Sequence, residues 1–189
     1  MKKISIVLGA LMICTSSLMA MMITPVMSGQ TNFNNGNLIG SVDYMVFAPA
    51  EYPGETLFPS LDYVYAYQVF NDAASKVSID FFSVGLEANA IVGNLTYEAV
   101  AGEVIPGYQA ILSESVLNLF FGPAGPITKG KQSALLLFSS PMQPMQGFGA
   151  VSGGFTGGEI VSVAAPIPEP MTLTLLALGG AFAVRSRRS

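Results

Sequence analysis

The sequence predicts an all-β domain, an antiparallel β-sandwich or jelly-roll-like fold, flanked by an N-terminal signal helix and a C-terminal transmembrane-like helix. Three observations carry the prediction. Apolar residues in the body alternate at period two, most clearly at Tyr63, Tyr65, Tyr67 and Val69, which share one face of a strand. Glycine, proline and asparagine interrupt these runs at short intervals, as turns between strands require. No body segment sets apolar residues at helical spacing beneath a charged face, and residues 111–119 are the one stretch readable as helix or strand. The turn spacing leaves room for roughly seven to nine strands, enough for two packed sheets.

Taken in order, Phe33-Asn34-Asn35-Gly36 is turn chemistry, because Asn and Gly tolerate a positive φ. Residues 41–48 follow as a strand with Val42, Tyr44 and Val46 on one side, and residues 49–59 form a loop with three prolines. The tyrosine strand spans residues 62–71. Asn71 to Ser75 turn the chain, and residues 77–86 return beside it as the second arm of a hairpin. Val77, Ile79 and Phe81 alternate with polar residues, then Phe82 and Val84 take the opposite parity; this slip predicts a β-bulge. Further strands are expected at 90–92, 97–101, 116–121, 133–139 and 159–164. Leu135 to Phe138 are apolar on both faces, which places that strand inside a sheet. Gly147, Gly149, Gly153, Gly154, Gly157 and Gly158 read as a flexible stretch, and residues 164–167 as a stiff Pro/Ala linker. The sandwich domain is thus expected over 29–163.

The two ends are targeting chemistry. Lys2 and Lys3 precede an apolar run at 4–13, then Thr15, Ser16 and Ser17, which reads as a signal peptide over 1–28. Ala20 and Ser28 are both small enough for a cleavage site; Val26 suits the −3 position better than Leu18, so cleavage near Ser28 is favoured. An uncleaved anchor is the alternative, since apolar residues continue to Met27 and about 20 suffice to span. Cys14 is the sole cysteine and follows Ile13, which is not small, so lipidation is not expected and the mature chain carries no thiol. At the other end Pro168-Glu169-Pro170 precedes an uncharged stretch at 171–184, followed by Arg185, Arg187 and Arg188. As a helix that stretch reaches roughly 21 Å, against a hydrocarbon core of about 30 Å. It makes a poor permanent anchor and an adequate transient address. Positive charge at both ends is retained on the cytoplasmic side, so the body lies outside.

This tripartite end resembles the PEP-CTERM sorting signal of Gram-negative bacteria over residues 168–189. The resemblance implies recognition of Pro168, Glu169, Pro170 and the arginine cluster by an exosortase, a membrane protease-transpeptidase. It implies attachment to the inner membrane during sorting, removal of residues 171–189, and release to the cell surface or the extracellular matrix. Association with an exopolysaccharide matrix is likewise implied by the family and not by these residues.

Composition narrows the function. Residues 29–168 hold 11 acidic and 3 basic residues, a net charge of −8, so the body has no electrostatic footprint for nucleic acid or anionic lipid. The chain contains 0 histidines, so no Ser-His-Asp or Cys-His nucleophile and no His-based metal site can be assembled. Carboxylates are the remaining catalytic currency; Glu51, Glu55, Glu98 and Glu103 are candidates, with solvated surface charge the simpler reading. Calcium at loop carboxylates such as Asp43, Glu51 and Asp72 is the one cofactor left open, although no Asp-x-Asp-x-Asp-Gly run exists. The stripe of Tyr63, Tyr65 and Tyr67 is either sandwich core, the favoured reading, or a stacking platform for sugar rings. The expectation is an exported, non-catalytic envelope or matrix protein, with a surface carbohydrate-binding module as the alternative.

Overall fold

The Asn-Asn-Gly turn joins β1 (Met27–Asn34) to β2 (Ile39–Phe47) as an antiparallel hairpin. Asn34 Oδ1 accepts from the Gly36 N–H at 2.9 Å, and Asn35 Oδ1 accepts from the Asn37 and Leu38 N–H groups at 3.1 and 2.8 Å. Gly36 supplies the left-handed residue with φ +81°. β3 (Tyr63–Asn71) pairs with β2 in turn, so that Val42, Tyr44 and Val46 lie inside beside Tyr65, Tyr67 and Val69. The structure, a computed structural model, describes residues 24–167 apart from 88–89, 113–115, 123–124 and 155–156, with the backbone alone at 109–112.

The remaining strands are β4 (Phe81–Gly85), β5 (Gly93–Glu98), β6 (Tyr108–Leu112), β7 (Val116–Phe120), β8 (Lys131–Gln132), β9 (Leu135–Ser140), β10 (Pro144–Ser152) and β11 (Gly158–Pro166). They form two antiparallel sheets. One has the order β1-β2-β3-β9-β5, with β8 also paired to β3; the other has the order β11-β10-β4-β7-β6. A single core joins them, with Tyr65, Tyr67 and Phe138 from the first sheet meeting Phe82, Leu117, Leu119, Val151, Val161 and Val163 from the second. The fold is all-β and sandwich-like, as the period-two pattern requires. β9 lies between β3 and β5, and Leu136, Leu137 and Phe138 are buried, which bears out the two-sided apolar run. The expected terminal helices lie outside the described residues.

The chain departs from the sequence reading in several places, and the strands expected at 90–92 and 97–101 are replaced by the single strand β5. β3 and β4 are not a hairpin: they belong to different sheets, and residues 72–80 cross between them. Polar side chains at the end of β3 and within the crossing fix this path. Asn71 Nδ2 donates to the Val77 and Ile127 carbonyls at 3.1 and 2.7 Å, and Ser75 Oγ donates to the Ile39 carbonyl while accepting from the Ile39 N–H, both at 2.7 Å. The parity slip before Phe82 reflects this path. Ile79 forms an isolated bridge with Ile127 and points inward, and β4 begins only at Phe81, so the slip is a break between two segments and not a bulge inside one strand. Among the described residues the register shift lies in the β5–β9 pair, between Gly93 and Thr96.

The expected flexible stretch begins as strand β10, since Gly147 and Gly149 serve close approach. A Cβ at 147 would stand 2.6 Å from the Ala165 Cβ, and one at 149 would stand 2.6 Å from the Ser83 carbonyl oxygen. Residues 164–166, expected as linker, complete β11, with Ala164 and Ala165 buried because their small side chains fit where the sheets come together. Residues 111–119 hold strand at both ends, in β6 and β7. Finally, β1 starts at Met27, and the Val26 N–H donates to the Val46 carbonyl at 2.8 Å, so the expected boundary after Ser28 falls inside a strand.

The close approach at Gly149 gives a direct test. The obstacle there is backbone, which cannot rotate away, so Gly149→Ala is expected to cost about 1–3 kcal/mol in urea unfolding. A loss under about 0.5 kcal/mol, the size of a neutral surface change, contradicts this packing.

Candidate functional site

The tyrosine stripe is core. Tyr65 is 0% and Tyr67 1% exposed, and Tyr63 is partly buried against the same cluster. The Phe138 ring stacks on Tyr65 at 4.8 Å and on Tyr67 at 5.8 Å. Each phenol keeps its polar tip bonded: Tyr65 Oη donates to the Met142 carbonyl at 2.8 Å, and Tyr67 Oη to the Ala164 carbonyl at 2.6 Å. Burial, with the neighbouring phenols adding to it, pushes both hydroxyls well above the ordinary tyrosine range. The stripe therefore presents no face on which a sugar could stack.

Three of the four candidate carboxylates, Glu55, Glu98 and Glu103, collect on the opposite side of the same sheet, whereas Glu51 is exposed on the 48–62 loop and is not among them. Val64, Ala66, Leu137 and Phe47 form a second apolar cluster there, covered by Tyr52 and Phe58 of the 48–62 loop. Tyr52 meets Phe47 and Phe58 edge-on, at 5.4 Å each. Glu98 fastens that loop: its Oε2 accepts from Tyr52 Oη at 2.9 Å and its Oε1 from the Thr56 N–H at 2.8 Å. Glu103 gathers neighbours in the same way, taking the Gln68 and Gln132 amides at 2.8 Å each and the Val100 N–H at 2.9 Å. Glu55, Glu98 and Glu103 line one shallow cleft of about 760 Å³, with Gln68, Tyr97 and Thr56. Burial works to raise the Glu98 carboxyl, but hydrogen bonds from Thr56, from Tyr52 and from the Glu55 backbone outweigh it and hold the group below the usual carboxylate range. Both carboxylates thus act as hydrogen-bond acceptors that hold the surrounding chain.

Two of the three acids considered for calcium, Asp43 in β2 and Asp72 after β3, have local partners. Asp43 Oδ1 accepts from Gln30 Nε2 at 2.6 Å, and Asp72 Oδ1 accepts from the Ala74 N–H at 2.7 Å. Among the described residues no three acidic groups gather where a metal ion could be held, and no helix is long and apolar enough to cross a membrane.

The outer face of the second sheet has a different character. Its strands β4, β6, β7 and β10 carry no charged residue, and β11 carries only Glu159, which pairs in register with the buried Val151. Phe81, Phe120 and Tyr108 are register partners across three strands, with ring centroids 5.2 and 6.0 Å apart. Beside them runs a row of smaller residues, Ala150, Ser83, Asn118 and Ala110 in register. On its other side stands Phe148, 70% exposed, while Tyr108 is 62% exposed. Aromatic rings beside uncharged polar groups are the components of a ligand platform. None of these eight positions was singled out as a site in the sequence reading. The signals were present: Lys131 and Glu159 are separated by no charge at all, and Phe81 and Ser83 have the parity opposite to Phe82 and Val84.

Pro168, Glu169, Pro170, Arg185, Arg187 and Arg188 lie outside the described residues, as do residues 1–23, where the signal peptide was expected. Comparison with family models, with curated proteins and with solved structures gives no match.

The Glu98 contacts predict a pH response. A carboxyl held below its ordinary range stabilises the fold fully above the unfolded-state pKa and loses that contribution as pH falls through the folded-state pKa. The urea midpoint should therefore decline below about pH 4.3, the ordinary glutamate value, and Glu98→Gln should show a flatter decline from a lower neutral-pH midpoint. Identical profiles for the two chains contradict the loop-fastening role.

Proposed function

We propose that this chain is an exported, non-catalytic protein of the bacterial cell envelope or extracellular matrix, sorted through its C-terminal signal. The observation that carries the reading is the conjunction in residues 168–189 of Pro168-Glu169-Pro170, an uncharged apolar stretch and Arg185, Arg187 and Arg188. In this reading the leader is a signal helix, the apolar stretch is a transmembrane-like helix held transiently in the inner membrane, and an exosortase-type enzyme processes the tag. The extended, proline-flanked Glu169 is the recognition point at the membrane boundary. The arginines stall passage because each is costly to carry through the hydrocarbon centre.

The fold is compatible with such processing. β11 ends at Pro166, so removal of residues 171–189 takes away none of the described strand pairs. At the other end, cleavage after Ala20 leaves β1 whole, whereas cleavage after Ser28 removes the Met27–Val46 and Ser28–Met45 pairs. Ala20 is accordingly the better site. The body's charge of −8 over residues 29–168 suits a soluble, self-repelling envelope protein. A second reading, surface carbohydrate binding, is favoured by one observation, the aromatic row of Phe81, Phe120 and Tyr108 on an uncharged sheet face.

Replacing Pro168-Glu169-Pro170 with three alanines tests the sorting reading. Full-length protein should accumulate in the inner membrane and the mature form disappear from the surface fraction, while intact mass of the parent's mature form should place its first residue before Val26. A variant processed and distributed like the parent shows that the tripeptide has no recognition role and that the apolar stretch is a plain anchor.

A further inference from the structure

The geometry points to a neutral, linear polysaccharide as the ligand of the second sheet's outer face, lying across the strands over Ser83 and Asn118. This inference rests on the carbohydrate-binding reading and names its site and its ligand class. Ser83 and Asn118 are cross-strand partners in the middle of the face. They are 6% and 5% exposed, and neither side chain hydrogen-bonds to another described residue. Neither is a buried atom left unpaired, which among the described residues is Asn71 Oδ1, so the polar tips of Ser83 and Asn118 still open onto the face and can bond a molecule laid on it. An asparagine amide and a serine hydroxyl each both donate and accept. Their complement is a group that does the same, a hydroxyl, and not a phosphate that only accepts or an ammonium that only donates.

The surroundings set the rest of the ligand's character. Phe81, Phe120 and Tyr108 flank the polar row on one side and Phe148 on the other, so the ligand needs apolar faces as well as hydroxyl edges. Sugar rings have both. The row crosses four strands, β10, β4, β7 and β6, a width of roughly 15 Å at about 4.8 Å between strands. That is room for several residues of a chain and not for a single sugar. Charge excludes the acidic polymers: the face offers no Lys or Arg, and the body around it carries a net −8 over residues 29–168. The same repulsion works against an anionic lipid surface and against a second copy of this chain.

Native affinity electrophoresis of the full chain in mild detergent tests the proposal, with cellulose derivatives, mixed-linkage β-glucan, dextran and galactomannan as neutral probes and alginate as the acidic one. At least one neutral polymer should retard the parent, and alginate should not. Phe148→Ala and Tyr108→Ala remove exposed rings, and Asn118→Ser removes the amide; each should weaken retardation by about tenfold or more, as truncation of a central interface contact does. Circular dichroism and the melting midpoint of Phe148→Ala and Tyr108→Ala should match the parent, which separates lost binding from lost folding. Retardation that all three variants retain overturns this site but leaves carbohydrate binding standing. Retardation by alginate alone overturns the neutral class. No retardation by any probe overturns both the inference and the carbohydrate reading, and a dimer abolished by Phe148→Ala in that case assigns the face to self-association.

Discussion

The stack of Tyr65, Phe138 and Tyr67 is the contact on which the two-sheet arrangement depends. The rings fill the space between the sheets, with Phe82 of the second sheet 5.7 Å from Tyr67. Their hydroxyls do what phenylalanine in the same places could not. Tyr65 holds the Met142 carbonyl just after β9, and Tyr67 holds the Ala164 carbonyl in β11, the edge strand of the opposite sheet. One residue type thus supplies apolar volume and two fixed points for chain that belongs to, or leads into, the second sheet. Cys14 is the sole cysteine, so no disulfide within the chain adds to this packing and hydrogen bonding.

Once the tyrosines face inward, the rest of β3 follows by parity. Val64 and Ala66 must face outward, and the 48–62 loop folds over them and is fastened by Glu98. Gln68 faces outward next to Asp43 and reaches Glu103, so this side becomes acidic and rich in amides. Among the described residues the second sheet has no covering loop of this kind, and its strands place no charged residue on the outer side. The two outer faces of one sandwich therefore differ in electrostatic character, and that difference separates a structural cleft from a surface suited to a neutral ligand.

The legible parts of the fold were those with a local cause. Asn34 to Gly36 announce a turn, alternation in β2 and β3 announces their inner faces, and Leu135 to Phe138 announce a strand within a sheet. What was hidden depends on partners far along the chain. Asn71 to Ser75 look the same whether the chain folds back or crosses to another sheet; the choice lies in bonds to Val77, Ile127 and Ile39. Gly147 and Gly149 look flexible until Ala165 and Ser83 are seen against them. The aromatic row was hidden for the same reason, because Phe81, Phe120 and Tyr108 are distant in sequence and meet only through strand register. The proposed sorting signal at residues 168–189 is the reverse case, a linear pattern that rests on the sequence alone and lies outside the described residues.

The central claim is that the tyrosines are structural through their hydroxyls as well as their rings, and urea unfolding of the Tyr65→Phe/Tyr67→Phe chain tests it most directly. The substitutions keep the apolar volume and leave the Met142 and Ala164 carbonyls without their donors. The account predicts a combined loss of about 2–4 kcal/mol, the cost of two covered acceptors left unpaired. A loss under about 0.5 kcal/mol would contradict it, showing that ring packing alone joins the sheets.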